Sequence, residues 1–229
     1  MKHVGIVACS AEGAALCYTT ICVEGEKYTG VKYRHPEVSM HSLPFSDYVD
    51  ALEKDDWERI AELMLISAEK LAKIGADFLI CPDNTIHRVF DDVVKKSPLP
   101  WLHIAEEVAR VAKDRGYRKL LITGTRYLME SRVYPEKLEK FGIEWLIPEE
   151  EARKRINDII FNELLYGRIL EESRNYLYSV MEWAKNRGCD AAVLGCTELP
   201  LLAGEGAPLP VLDSTRILAR AALREALKE

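Results

Sequence analysis

Two short stretches carry the residue types that acid–base chemistry needs, Asp83-Asn84-Thr85 and Gly195-Cys196-Thr197-Glu198. A carboxyl group and a thiol can each take or give a proton. Both stretches follow apolar runs and stand where a helix should begin, as do Cys9-Ser10 and Thr123-Gly124-Thr125-Arg126. In open parallel α/β sheets, ligands sit beyond the carboxyl ends of strands, facing backbone N–H groups and helix N-termini. Short hydroxyl, amide and thiol side chains at four such ends suit a small polar ligand. The same residues also cap helices without binding anything, and that plainer role competes at each single position. Cys196 stands apart from the other cysteines, because it closes a buried run at a point where a helix N-terminus lowers a thiol pKa.

The other thiols read differently. Cys9 and Cys189 are packing residues, Cys17 and Cys22 bystanders within a helix, and Cys81 a buried structural thiol. No CxxC pair and no Cys/His set at zinc spacing occurs. His87 follows Asn84-Thr85 by one helical turn and orders its loop rather than binding a metal. The phosphate-binding patterns G-x-G-x-x-G and G-x-x-x-x-G-K-[ST] are missing, as is a G-x-S-x-G elbow.

The elements that must position these residues alternate. Strands are expected at 3–9, 77–81, 119–123 and 191–195, with a short extended piece at 38–42. Helices are expected at 11–23, 56–74, 84–94, 104–115, 135–141, 148–165 and 171–187. A last helix covers 213–227, its start capped by Asp213 and Ser214. Fully apolar strands between amphipathic helices imply an α/β fold whose parallel sheets are covered on both faces.

An internal repeat refines that picture. The stretch from Gly75 to Thr85 aligns with that from Gly188 to Glu198: glycine on glycine, Asp77 on Asp190, apolar run on apolar run, and Asp83 on Cys196. Pro98-Leu99-Pro100-Trp101-Leu102 aligns in turn with Pro208-Leu209-Pro210-Val211-Leu212, and Ala109-Arg110 with Ala219-Arg220. Two similar Rossmann-like lobes follow, residues 1–100 plus 213–229 and residues 101–212. A pseudo-two-fold relation between them would bring Asp83 and Cys196 to one ligand from opposite sides, a geometry for proton chemistry at one carbon.

Composition excludes other classes. In 229 residues, Lys+Arg number 31 and Asp+Glu 37, a formal charge of −6. A mildly acidic chain lacks the concentrated basic face of a nucleic-acid binder. No apolar run reaches the roughly 20 residues that span a bilayer, and the chain enters a strand with no signal-peptide pattern. A cytoplasmic protein with reduced thiols is the expectation.

The junction motifs resemble those of the cofactor-independent aspartate/glutamate racemase superfamily. Its Cys-Asn-Thr-x-His element is similar to Asp83-Asn84-Thr85-Ile86-His87, and its Gly-Cys-Thr-Glu element to Gly195-Cys196-Thr197-Glu198. The run from Gly124 to Glu130, Ile147-Pro148-Glu149 and Arg155-Ile156-Asn157 resemble the second lobe of broad-specificity bacterial members. The resemblance implies racemisation without pyridoxal phosphate or any other cofactor or metal, an active site between the lobes, and a homodimer. It further implies that Cys196 is one acid/base and that Ser10, Asn84, Thr85, Thr125 and Thr197 bind an amino acid's α-carboxylate. Arg126 and Arg34 are candidates to hold a side-chain carboxylate.

The departure is Asp83, where the family carries its first-lobe cysteine. A carboxylate of ordinary pKa, about 3.9, is a far weaker base than a thiolate near 8.5. Three readings stay open. Asp83, raised by burial, works with Cys196 in an amino-acid racemase. Alternatively, Cys196 alone serves a decarboxylase or cis–trans isomerase of a small dicarboxylic acid, as in relatives of that superfamily. In the third reading the two lobes bind a small ligand without chemistry.

Overall fold

A computed structural model describes residues 1–204 and 206–228. The chain begins with strand β1 (Val4–Ala8), helix α1 (Ala11–Thr29), strand β2 (Val38–Ser42) and helices α2 (Phe45–Glu53) and α3 (Trp57–Lys73). Strand β3 (Phe78–Ile80), a 3₁₀ turn at Thr85–Val89 and helices α4 (Phe90–Lys96) and α5 (Ile104–Asp114) follow. Next come β4 (Lys119–Thr123), α6 (Arg126–Met129), α7 (Val133–Lys140), β5 (Glu144–Leu146), α8 (Glu150–Asn162), a 3₁₀ turn at Leu164–Tyr166 and α9 (Glu171–Lys185). Strand β6 (Ala191–Leu194), helix α10 (Leu199–Leu202), strand β7 (Val211–Asp213) and helix α11 (Ser214–Ala226) complete the described elements.

Two compact units share these elements, residues 1–104 with 215–229, and residues 105–214. The first holds a parallel sheet in the order β2-β1-β3, and the second a parallel sheet in the order β5-β4-β6-β7. The α/β class with two parallel sheets is therefore as the alternation of apolar runs implied.

Burial explains the apolar runs. Every residue of β1 is buried, and its side chains alternate between two cores, as period-two strands must. Ile6, Phe78 and Ile80 pack with Ile21 of α1 and with Leu218 and Leu223 of α11. Val7 and Leu79 pack on the other face with Ile60, Met64 and Leu71 of α3. Helix α3 forms because its buried residues recur every three to four positions and Asp56 caps its start, accepting from Arg59 N at 2.9 Å. In the second unit, Leu121, Ala192 and Leu194 pack against Ile156, Ile159 and Ile160 of α8 and Leu177 and Met181 of α9.

Each repeated residue holds its own unit together in the same way. Asp77 Oδ2 accepts from His3 N at 2.6 Å, and Asp190 Oδ2 accepts from Arg118 N and Lys119 N at 2.7 and 3.0 Å. Each aspartate thus pins the start of its neighbouring central strand, β1 or β4. Leu79 N donates to Pro100 O, and Ala192 N donates to Pro210 O, at 2.8 and 2.9 Å. The proline-flanked segments are therefore edge pairings, where a missing N–H costs no ladder bond. In the first unit that pairing is a single bridge between Leu79 and Trp101; in the second it is a full strand, β7.

Several elements depart from the sequence expectation. Helix α1 runs six residues past Val23, because Gly25 does not stop it. A Cβ there would lie 2.5 Å from Arg34 O, so Gly25 is needed for the close approach of the returning chain. Thr85–Val89 form a 3₁₀ turn rather than the first turn of an α-helix. Asp213 ends β7 and also stands at the N-cap position of the last helix, which starts at Ser214. Helix α2 and strand β5 were not expected. Only Tyr48 and Ala51 of α2 are buried, too few for a periodic signal, and β5 is a three-residue edge strand with no fully buried position.

Candidate functional site

The site residues fall into two groups, one in each unit. Ser10, Asp83, Asn84 and Thr85 belong to the first unit, and Thr125, Cys196 and Thr197 to the second. Within each unit the residues share the carboxyl edge of one sheet, because they follow strands that are parallel neighbours.

In the first unit, β1 and β3 pair with Ile6 opposite Ile80, so Cys9-Ser10 and Asp83-Asn84-Thr85 emerge at the same edge. Ser10 caps α1, its Oγ accepting from Gly13 N at 3.3 Å. Asp83 caps the turn that follows it: Oδ1 accepts from Thr85 N at 3.0 Å and Ile86 N at 3.4 Å. Two backbone donors on one carboxylate oxygen suit the ionised form. Asn84 and Thr85 are 2 % and 7 % exposed, so any ligand they serve must enter a narrow space.

His87 fixes this turn from below. Its Nδ1 donates to Asp83 O at 2.7 Å, and its Nε2 accepts from Ile104 N at 3.3 Å. A carbonyl can only accept and an amide N–H only donate, so these partners define a neutral imidazole with its proton on Nδ1. The ring also stacks on Phe90, with centroids 5.3 Å apart. His87 thus orders the loop, as its position one helical turn from Asn84 suggested. Cys81, wholly buried, has its thiol pushed well above the usual range by burial first and then by the Asp83 charge. It is a structural thiol.

In the second unit, Thr123 pairs with Leu194 across β4 and β6. Gly195 N donates to Thr123 O at 2.9 Å, and Thr123 Oγ1 donates to Val193 O at 2.6 Å, which ties the two strand ends together. A Cβ on Gly195 would press on Leu128 Cδ2 and stand 2.5 Å from Thr123 O. The glycine before the thiol is thus a packing requirement. Thr125 caps α6, its Oγ1 accepting from Leu128 N at 3.2 Å, while Asn157 Oδ1 of α8 accepts from Arg126 N at 3.0 Å.

Cys196 follows Gly195 and is partly exposed. Its Sγ donates to Glu198 Oε2 at 2.9 Å, and Thr197 Oγ1 donates to the same oxygen at 2.8 Å. Glu198 is 2 % exposed, and its Oε1 is buried with no hydrogen-bond partner among the described residues. The sequence suggested that a helix N-terminus activates this thiol. Instead, the helix that follows is a single turn, Leu199–Leu202, with Glu198 as its N-cap. So short a helix has little dipole to offer, and the acceptor of the thiol proton is a carboxylate. Glu198, to which the sequence reading assigned no role, accepts the thiol hydrogen bond; its signal was an acid two residues after the thiol.

Arg126 is half exposed, with Nε 4.0 Å from Glu130 Oε2, and Arg34 is exposed between α1 and β2. Among the described residues, no group of three or more His, Cys, Asp or Glu side chains is placed to hold a metal ion. No described helix is long and apolar enough to cross a membrane.

Sequence comparison places this arrangement in a lineage. A sequence model of the Asp/Glu/hydantoin racemase family matches residues 28–222. The chain belongs to that family. It is a racemase, an isomerase of the Asp/Glu racemase type. It is 25 % identical over 192 residues to the broad-specificity amino-acid racemase RacX of Bacillus subtilis strain 168, covering 81 % of this racemase and 80 % of that protein. Two crystal structures are similar over the whole of both chains. A candidate Asp/Glu racemase from Yersinia pestis superposes with a TM-score of 0.91 at 34 % identity. An aspartate racemase homologue from Pyrococcus horikoshii OT3 superposes with a TM-score of 0.84 at 30 % identity.

Proposed function

We propose that this racemase inverts the α-carbon of a free amino acid without pyridoxal phosphate, with Cys196 and Asp83 as its acid/base pair. The hydrogen bond from Cys196 Sγ to the buried carboxylate of Glu198 carries the reading. Glu198 Oε2 draws the thiol proton away, which leaves a thiolate to remove the substrate α-proton. Thr197 Oγ1 holds the same oxygen and keeps it aimed at sulfur. Asp83, protonated, returns a proton to the opposite face of the carbanion, and its own carboxylate is then the base for the reverse direction. Ser10, Asn84, Thr85, Thr125 and Thr197 are proposed to hold the α-carboxylate. Each stands at the carboxyl edge of a sheet, beside backbone N–H groups. The two units serve as the two lobes of the enzyme, and a homodimer is the proposed assembly.

The matching experiment is deuterium wash-in. Purified protein without pyridoxal phosphate is incubated in D2O with a panel of L-amino acids, and loss of the α-proton signal is followed by NMR. At least one amino acid should exchange and racemise, and Cys196→Ala should slow both by about a thousandfold or more. A panel with no exchange overturns the reading.

One observation favours a second reading. Asp83 Oδ1 already caps its turn as a carboxylate suited to stay ionised, which points to one-thiol chemistry by Cys196 on a small dicarboxylic acid. Carbon dioxide release or double-bond isomerisation, with no α-exchange of amino acids, selects it.

A further inference from the structure

Helices α2, α3, α5 and α7 end in the same way except for one residue. After α3, α5 and α7 a glycine stands in the left-handed conformation, Gly75, Gly116 or Gly142. In each case its N–H donates three residues back, and the next N–H donates five residues back. Such an ending favours glycine, which carries no Cβ penalty there. After α2 the same two bonds form, Asp55 N to Leu52 O at 3.1 Å and Asp56 N to Ala51 O at 2.8 Å. The left-handed residue is now Asp55, at φ 54°. Its side chain is 76 % exposed, so burial does not explain the choice. A side chain kept in a disfavoured backbone conformation calls for a reason. The contacts of its carboxylate supply one.

Asp55 Oδ1 accepts from Nε1 of Trp57, the first residue of α3, and so fixes the indole. Arg88 lies over that ring, its guanidinium carbon 4.0 Å from the centroid, within the range of a cation–π contact. Its Nη1 is also 4.0 Å from Asp55 Oδ1. That ion pair is long and exposed and contributes little by itself, so the stack on Trp57 carries the contact. Trp57 packs in the same core as Ile86 and Val89. Ile86, Arg88 and Val89 all belong to the 3₁₀ turn whose first N–H groups Asp83 caps. At five residues this turn is long for its kind, because 3₁₀ bonds are poorer than those of an α-helix. It runs directly into α4, and Thr85-Ile86-His87-Arg88-Val89 holds no proline or glycine to keep it from joining that helix. Rewinding from about 2.0 to about 1.5 Å per residue would draw Asp83-Asn84-Thr85 toward α4 by about 2.5 Å and turn it by about 100°. A misplacement of about 1 Å can cost about a hundredfold in rate.

We propose that Asp55, Trp57 and Arg88 are positioning residues for this racemase, an outer clamp that holds Thr85–Val89 in the 3₁₀ form and so sets where Asp83, Asn84 and Thr85 stand. The inference rests on the reading of Asp83-Asn84-Thr85 as part of the site. None of the three touches the substrate. His87 ties the same turn through Asp83 O and Ile104 N, and Arg88, the next residue, ties it to the start of α3. Glycine at position 55 would ease the backbone and release the indole. The aspartate is therefore retained for the turn and against the local preference of the helix end.

The test compares wild type, Asp55→Gly, Asp55→Asn, Arg88→Ala and Asp83→Asn in the full chain, by racemisation kinetics on the L-amino-acid panel, by Tm and by hydrogen exchange. Asp55→Gly should lower kcat/KM by about tenfold or more while Tm stays unchanged or rises. Both kcat and KM should move, because an acid/base and carboxylate-binding residues share the turn. Asp55→Asn keeps an oxygen for Trp57 Nε1 and tolerates positive φ, so it should stay within about twofold of wild type. Arg88→Ala should match Asp55→Gly in rate. In both, the Thr85, Ile86 and His87 amides should exchange faster while those of β1 keep their protection. Unchanged protection of the turn in both variants overturns the clamp whatever the rates. Wild-type kinetics in both, alongside an inactive Asp83→Asn, also overturn it and leave the acid/base reading standing. An active Asp83→Asn overturns the acid/base reading alone, and the clamp is then decided by KM, through Asn84 and Thr85. A wild type that exchanges no amino acid overturns the racemase reading, and the inference with it. If Arg88→Ala does not fold, Asp55→Gly at its exposed helix end gives the same decision.

Discussion

Cys196 Sγ and Glu198 Oε2 are joined by a 2.9 Å hydrogen bond, and the other oxygen of that carboxylate is buried with no hydrogen-bond partner among the described residues. The carboxylate therefore spends its interactions on one oxygen, shared by the thiol and Thr197 Oγ1. Such an arrangement leaves one buried oxygen unsatisfied, which is costly for stability, and points the other at the thiol.

Glu198→Gln keeps an oxygen that can accept from the thiol but removes the ability to take its proton. Racemisation should fall by about a hundredfold, mainly in kcat, and the rising limb of the pH–rate profile should move toward alkaline pH. Steady-state kinetics across pH check this. A variant with wild-type kcat at neutral pH would leave Glu198 as a structural partner of Cys196 and Thr197 alone.

The residues at which this chemistry is proposed were legible in the sequence because they stand at strand ends, where periodicity stops abruptly and small polar residues cluster. Asp77 and Asp190 show how deep the repeat runs: the same residue, offset by one duplication, pins the central strand of each unit. What the sequence hid is long range or short in span. Helix α2 is nine residues long with only two buried positions, Tyr48 and Ala51, too few to set up a period. Nor does the sequence show that the helix after Cys196 is a single turn with Glu198 at its N-cap.

Gly195→Ala tests the packing behind the thiol. The added methyl meets Leu128 Cδ2 and Thr123 O, and Thr123 O also accepts from Gly195 N, so neither strand end can retreat without losing a ladder bond. The expected cost is about 2–3 kcal/mol, seen as a lower Tm of the second unit in calorimetry. A Tm within about 2 °C of wild type counts against this close approach.

His87→Leu removes a donor to Asp83 O and an acceptor for Ile104 N, both within the first unit. Leucine fills much of the ring volume but leaves two buried backbone groups unpaired, at a cost of about 2–4 kcal/mol in all. Hydrogen exchange resolves this from a general loss of packing: the Ile104 amide should lose protection more than the amides of β1. If it exchanges no faster than they do, the Ile104–His87 bond has little weight.

Glu24 and Arg220 close the first unit between α1 and α11 with a bidentate pair, Nε to Oε2 and Nη2 to Oε1, each 2.8 Å. The Arg220 hydrogen bond, ahead of the nearby Lys27 and Arg216 charges, holds the Glu24 carboxyl below its usual range. A depressed carboxyl pKa adds stability above the pKa of the unfolded chain, about 4.3, and that stability disappears as pH falls through the lower folded value. Arg220 is 36 % exposed, so solvent screens the pair and its contribution at neutral pH is about 1 kcal/mol. Glu24→Gln should therefore lower stability by that amount at pH 7, and the gap from wild type should close as pH drops below about 4. Urea unfolding at a series of pH values measures the gap; one that stays constant into acid would mean that the lost packing of α1 on α11, rather than the ion pair, accounts for the difference.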